Sequence, residues 1–113
     1  MSRITSHILD TSAGRPAEGI YAELSVMSNS GEWEHLTSGK SDRDGRIKDL
    51  LNDNIKIQNG IYKMKFITKD YFKKNKIRCF YPYVEIVFEI DTEEHYHIPL
   101  LLSPFGYSTY RGS

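Results

Sequence analysis

A chain of 113 residues carries one domain of ordinary size and too little material for two independent cores, so residues 1–113 are read as a single unit. Its fifteen Lys and Arg balance its fifteen Asp and Glu, so no basic field gathers phosphates and no nucleic-acid partner is expected. At 39% hydrophobic, with eight Tyr, five Phe and one Trp, the chain can bury a core, which excludes disorder.

No apolar stretch approaches the ~20 residues that cross a bilayer. The best, Val84–Ile90 and Ile98–Leu102, are strand-sized, so no membrane partner is expected. Met1-Ser2-Arg3-Ile4-Thr5-Ser6-His7 shows no basic segment followed by an apolar one, and the expected location is cytoplasmic. Cys79 is the sole cysteine, which excludes an intrachain disulfide and any zinc site built on paired cysteines.

Period-2 alternation dominates. Over Gly19–Ser28, Ile20, Ala22, Leu24 and Val26 point one way and Tyr21, Glu23, Ser25 and Met27 the other, which predicts a half-buried strand. Ser28-Asn29-Ser30-Gly31 is turn chemistry, and Glu32–Thr37 alternates again, making a hairpin. Gly39–Gly45 reads as a polar loop. Ile61–Thr68 places Tyr62, Met64 and Phe66 opposite Lys63 and Lys65, and Val84–Asp91 places Val84, Ile86, Phe88 and Ile90 opposite Glu85, Glu89 and Asp91. Between them Lys69–Lys76 lacks alternation and tolerates a short surface helix. His95–Leu102 and Tyr107–Arg111 form a last extended pair around Ser103-Pro104-Phe105-Gly106. Many short strands and one helix predict an antiparallel β-sandwich.

Acid-base chemistry is sought first among the four histidines, the only side chains that titrate near neutrality unperturbed. His95 and His97 lie two apart on a predicted strand, hence on one face. A hydrogen-bonded structural pair is one reading; the other is the start of a zinc site, with His7 or a carboxylate as third ligand. His35, beside Trp33 on a hairpin arm, reads as structural. Asp42-Arg43-Asp44-Gly45-Arg46 is a loop whose Asp-Gly step makes a tight turn and sends Arg46 into the next segment. The ending Tyr110-Arg111-Gly112-Ser113 would fray on general grounds.

Two segments are more specific. The run from His7 through Leu9-Asp10-Thr11-Ser12-Ala13-Gly14-Arg15-Pro16 to Ala17, and the run Tyr96-His97-Ile98-Pro99-Leu100-Leu101-Leu102-Ser103-Pro104-Phe105-Gly106-Tyr107-Ser108, resemble the transthyretin family at both of its signatures. Asp44-Gly45-Arg46, Gly60-Ile61-Tyr62 and Phe80-Tyr81-Pro82 fall between them in the family's order, so the resemblance spans the chain. The family has a hormone-carrier branch and a 5-hydroxyisourate hydrolase branch. His7, Arg46, His97 and the Tyr110-Arg111-Gly112-Ser113 tail resemble the hydrolases, since the carriers have lysine, an acid and threonine at the first three positions. Ala22 stands where the family has a branched aliphatic, and Ser41-Asp42 where Thr-Asn is commoner; the second departure bears on how the loop presenting Arg46 is held.

The resemblance implies a sandwich of two four-stranded sheets with one short helix, assembled as a homotetramer with binding sites at the dimer–dimer interface. It implies hydrolytic ring opening of 5-hydroxyisourate, with His7, Arg46 and His97 catalytic and Tyr110, Arg111, Gly112 and Ser113 binding substrate. A C-terminal Arg-Gly-Ser would then pack against a neighbouring subunit rather than fray. No cofactor and no metal is called for, and neither Cys79 nor any serine has the setting of a covalent nucleophile. The alternatives are a small-ligand carrier and a zinc-dependent hydrolase on the same scaffold.

Overall fold

The computed structural model describes residues 3–52 and 54–112. In chain order they form β1 (Ile4–Asp10), β2 (Arg15–Pro16), β3 (Tyr21–Met27), β4 (Trp33–Lys40), β5 (Arg46–Ile47), β6 (Gly60–Ile67), α1 (Thr68–Lys74), β7 (Val84–Ile90), β8 (Tyr96–Ser103) and β9 (Gly106–Thr109). One sheet runs β2-β1-β8-β9 and the other β4-β3-β6-β7. The expected sandwich of two sheets and a short helix is therefore present. In the first sheet, the position beside β1 is shared: β2 pairs with Leu9 and Asp10, and β5 with Ser6 and His7, making this sheet five-stranded.

The pairs are antiparallel except β1 with β8, which run parallel in register from Ile4↔Tyr96 to Asp10↔Leu102. Parallel partners require a long crossover, and here the intervening chain includes the entire second sheet. This pair brings the two ends of the sequence side by side.

β3, β6 and β7 follow their alternation. Ala22, Leu24, Tyr62, Met64, Phe66, Val84 and Ile90 are buried and meet Ile4, Ile8, Ile98, Leu100 and Leu102 from the opposite sheet. Each such large aliphatic or aromatic side chain contributes about 1.5–3 kcal/mol when taken out of water. The helix begins one residue earlier than its composition predicts and closes one end of the core with Phe72 and Tyr71. β4 continues through Lys40, so the polar loop begins at Ser41 rather than Gly39. Among the described residues no helix is long and apolar enough to cross a membrane.

β1 is the element that alternation hides, because its inward face is Ile4, Ser6, Ile8 and Asp10. Both buried polar groups are satisfied, as burial demands. Ser6 Oγ donates to Ile98 O at 2.7 Å. The Asp10 carboxylate accepts from Ser12 N, Ser12 Oγ, Ala13 N and Tyr71 Oη at 2.6–3.1 Å. Burial alone raises the Asp10 carboxyl, but these donors more than offset it and hold it below the usual range. The same contact, with burial as the larger cause, raises the Tyr71 phenol to about 12.

Candidate active site

With Ile4 and Ile8 of β1 and Ile98 and Leu100 of β8 facing inward, Thr5, His7, His97 and Pro99 necessarily face outward. The parallel register sets Thr5 beside His97 and His7 beside Pro99. The site therefore lies on the outer face of the first sheet and not inside the sandwich.

Thr5 Oγ1 lies 2.8 Å from His97 Nδ1 and 2.8 Å from His95 Nε2. The two imidazoles stack with centroids 6.2 Å apart and planes at 20°, so they do share a face, although His95 precedes the strand by one residue. Among the described residues nothing bonds His97 Nε2. Burial first, then the charges of His95, Arg46 and His7, hold His97 below the usual imidazole value, which favours its neutral form.

Arg46 arrives through the Asp42–Gly45 turn. Asp42 Oδ1 accepts from Asp44 N at 2.9 Å and Arg46 N at 3.0 Å, and the Arg46 amide, as the largest cause, holds this carboxyl below its usual value. Ser41 Oγ donates to Ala17 O and accepts from Ile20 N. The Ser41-Asp42 departure thus supplies its own fastening of the loop. Gly45 has φ +78°, and a Cβ there would overlap Ile8 O, so only glycine lets the turn lie against β1. Arg46 then sits directly across from His7 in the β1–β5 pair. His7 Nε2 is 2.9 Å from Asp44 O. Because a carbonyl only accepts, the His7 Nε2 carries the hydrogen and its Nδ1 is left as the basic nitrogen.

Arg46, His95 and His97 line one cleft of about 530 Å³ together with Thr5, Ser6, Lys48 and Asp49. A second cleft of about 260 Å³ adjoins it, with His97 in both walls, and is lined by Tyr96, Tyr110 and Arg111. Arg111 lies over the Tyr96 ring at 4.5 Å and pairs with Glu94 at 2.9 Å. The tail is ordered within its own chain: Gly112 N donates to His97 O at 2.9 Å. An added Cβ on Gly112 would come within 2.5 Å of His97 Cδ2, so a larger residue could not lie this close to the imidazole. Ser113 lies outside the described residues.

Of the residues singled out in the sequence, Arg46 and His97 share a cleft, His7 flanks it across the β1–β5 pair, and Tyr110, Arg111 and Gly112 gather on the other side of His97. Thr5, Lys48 and Asp49 were not legible as site residues. Nothing local marks them, since Thr5 meets His97 across 92 positions. His35 stands exposed on β4, in the opposite sheet. Among the described residues no three His, Cys, Asp or Glu side chains are grouped so as to hold a metal ion, and His7, the third ligand of the zinc alternative, is turned to Asp44 O.

Comparison with known proteins places this chain in a family. The family model described as HIUase/Transthyretin matches residues 4–112. A 5-hydroxyisourate hydrolase of Halalkalibacterium halodurans is 44% identical over 117 residues, covering 98% of each chain. One of Mus musculus is 44% identical over 114 residues, covering 99% of this chain and 96% of its own. The crystal structure of sea bream transthyretin in complex with thyroxine superposes with a TM-score of 0.92 at 31% identity, covering 98% of this chain and 95% of that one. The chain belongs to the HIUase/Transthyretin family.

Proposed function

We propose that this protein is a 5-hydroxyisourate hydrolase that opens the six-membered ring of its substrate by adding water across an amide-like bond. The observation that carries the reading is one cleft holding a permanent cation, Arg46, and a neutral, depressed imidazole, His97, in a chain 44% identical to proteins named for this activity.

Ring opening requires a directed water, stabilisation of charge on the attacked carbonyl oxygen, and an oriented ring. His97 Nε2, its partner nitrogen being held by Thr5, takes the proton of the water. His7 flanks Arg46 and, with Nδ1 as its basic nitrogen, accepts a hydrogen bond from the water and holds it, and His97 returns the proton to the leaving nitrogen. Arg46 donates to the developing oxyanion, a role for which a guanidinium is suited because it never deprotonates. Tyr110 and Arg111, beside His97, orient the planar ring.

In this reading the reaction runs between subunits of a homotetramer. Two features support this. The catalytic face is the open outer face of a sheet, which a second copy would convert into an enclosed channel. β7 and β9 end their sheets, and Val87 and Thr109 from these two edges line the same cleft, so a second chain can extend both sheets at once. A hormone-type carrier is disfavoured by the cleft's lining of Arg46, Lys48, Asp49, His95 and His97, which an apolar ligand would have to desolvate.

The test is direct. 5-Hydroxyisourate generated in place by urate oxidase is followed by its ultraviolet decay with and without the protein. Accelerated decay that is lost in His97→Asn and in Arg46→Ala, with unfolding unchanged, is the expected result. No acceleration by the wild-type protein refutes the activity, and full turnover in either variant refutes its assignment.

A further inference from the structure

Within the cleft that also holds Arg46, Thr5 and His95 make a short hydrogen-bonded chain with His97, of which the reaction described above uses only the hold of Thr5 on His97. Thr5 Oγ1 is 2.8 Å from both His97 Nδ1 and His95 Nε2, and a hydroxyl has a single hydrogen. It donates to one imidazole and accepts from the other. When both rings are neutral, therefore, one and only one of the two facing nitrogens carries a proton. The tautomer of His97 and the tautomer of His95 are locked to one another through Thr5.

We propose that Thr5 and His95 form a proton relay that holds resting His97 as its Nδ1–H tautomer, with Nε2 bare toward the cleft, and that stores the proton on His95 during the reaction. The relay rests on the hydrolase reading for its use, but the tautomer it imposes is a property of the free protein.

The choice between the two locked arrangements follows from the cleft. Arg46 lines it as a permanent cation whose charge acts on His97, and near a cation a bare nitrogen is electrostatically favoured over an N–H dipole. With His97 protonated at Nδ1, Thr5 accepts from His97 and donates to His95 Nε2, and His95 keeps its hydrogen on Nδ1. His95 is exposed and His97 is half-buried, so a second proton is hydrated more readily on His95. The charges of Arg46 and His7 also oppose a cation on His97.

The proton count closes. Water gives a proton to His97 Nε2 as its oxygen bonds the carbonyl carbon. His97 Nδ1–H passes to Thr5 Oγ1, and the Thr5 hydroxyl hydrogen passes to His95 Nε2. His97 is then neutral as its Nε2–H tautomer, and His95 is the imidazolium. When the carbon–nitrogen bond breaks, a proton returns to the leaving nitrogen and the chain runs backward, leaving both rings and the hydroxyl as they began. Thr5 and His95 are positioning residues in this scheme, since they act through His97.

Two measurements test it. Imidazole ¹⁵N spectra of the ligand-free protein at neutral pH are expected to show His97 as the Nδ1–H tautomer, and Thr5→Val is expected to return it to the ordinary Nε2–H form. A wild-type His97 protonated at Nε2, or a tautomer indifferent to Thr5→Val, overturns the proposal whether or not the protein hydrolyses 5-hydroxyisourate. In turnover, Thr5→Val and His95→Asn are expected to lower kcat by about 10–10²-fold, part of the ~10²–10⁴ that general base catalysis supplies. KM is expected to stay unchanged, and Thr5→Ser is expected to restore the rate. Wild-type kcat in Thr5→Val or His95→Asn removes the relay while leaving the hydrolase reading intact. If Thr5→Val fails to fold, Thr5→Ser and His95→Asn carry the same comparison.

Discussion

Gly112→Ala is the most informative single change, because it adds one methyl group at a point where the tail presses on His97. The new Cβ would stand 2.5 Å from His97 Cδ2, with Pro99 Cγ at 3.1 Å and His97 Cγ at 3.2 Å. Carbon atoms make their best contact at about 3.5–4.0 Å, so tail and imidazole must part by about 1 Å. If the tail moves, the Gly112 N–H to His97 O bond is lost, which costs about 0.5–1.5 kcal/mol. Tyr110 and Arg111 then leave the wall of the cleft. If the imidazole moves instead, a displacement of about 1 Å at a reacting group costs on the order of 10²-fold in rate. Either way the expected result is a large fall in kcat/KM for 5-hydroxyisourate decay against a small loss in unfolding free energy. Wild-type kcat/KM in Gly112→Ala would refute the claim that the tail's close approach sets the geometry of His97.

Three further outcomes are expected. His97 is held below the usual imidazole value of 6.5, so kcat/KM should stay level through neutral pH and fall only as acid charges this group; an NMR titration of Arg46→Gln should move the His97 midpoint upward, and an unmoved midpoint would show that Arg46 exerts no field there. The Tyr71 phenol, raised from 10.0 to about 12, contributes stability that is fully present below pH 10 and is lost as pH rises toward 12, whereas the depressed Asp10 carboxyl contributes stability above its ordinary 3.8 that is lost in acid; Tyr71→Phe should abolish the alkaline loss in a thermal-denaturation series, and persistence of that loss assigns it elsewhere. Gly45→Ala forces a left-handed φ on a residue with a Cβ aimed at Ile8 O, so it should cost about 1–2 kcal/mol or more in urea unfolding and lower turnover by displacing Arg46, while equal stability would contradict the turn geometry.

Strands whose inward faces are wholly apolar were readable from alternation alone. β3, β6 and β7 appear within a residue or two of their expected bounds, with Ala22, Leu24, Tyr62, Met64, Phe66, Val84 and Ile90 buried as the pattern requires. β1 escaped because two of its four inward residues, Ser6 and Asp10, are polar. Their burial is offset by partners on Ser12, Ala13, Ile98 and Tyr71, and the last two lie 92 and 61 positions away, outside any local window. His7, Arg46, His97 and the tail were singled out by resemblance to a family. Thr5, Lys48 and Asp49 carried no such mark and entered the site only through the tertiary fold.

What belongs to the sequence by itself is whatever depends on near neighbours along the chain. The period-2 faces, the Asp-Gly turn that needs φ +78° at Gly45, the charge balance and the supply of imidazole and guanidinium groups are all of this kind. What the tertiary structure decided is which of these groups meet. The parallel register of β1 on β8 joins residues some ninety positions apart and puts Thr5 beside His97, and a shift by one residue would turn every one of those side chains to the other face. That register is selected by packing Ile4, Ile8, Ile98 and Leu100 against the second sheet, a global condition that leaves no local trace. The same packing sends the tail back across Pro99 to His97, so burial on one face of the sheet arranges the chemistry on the other.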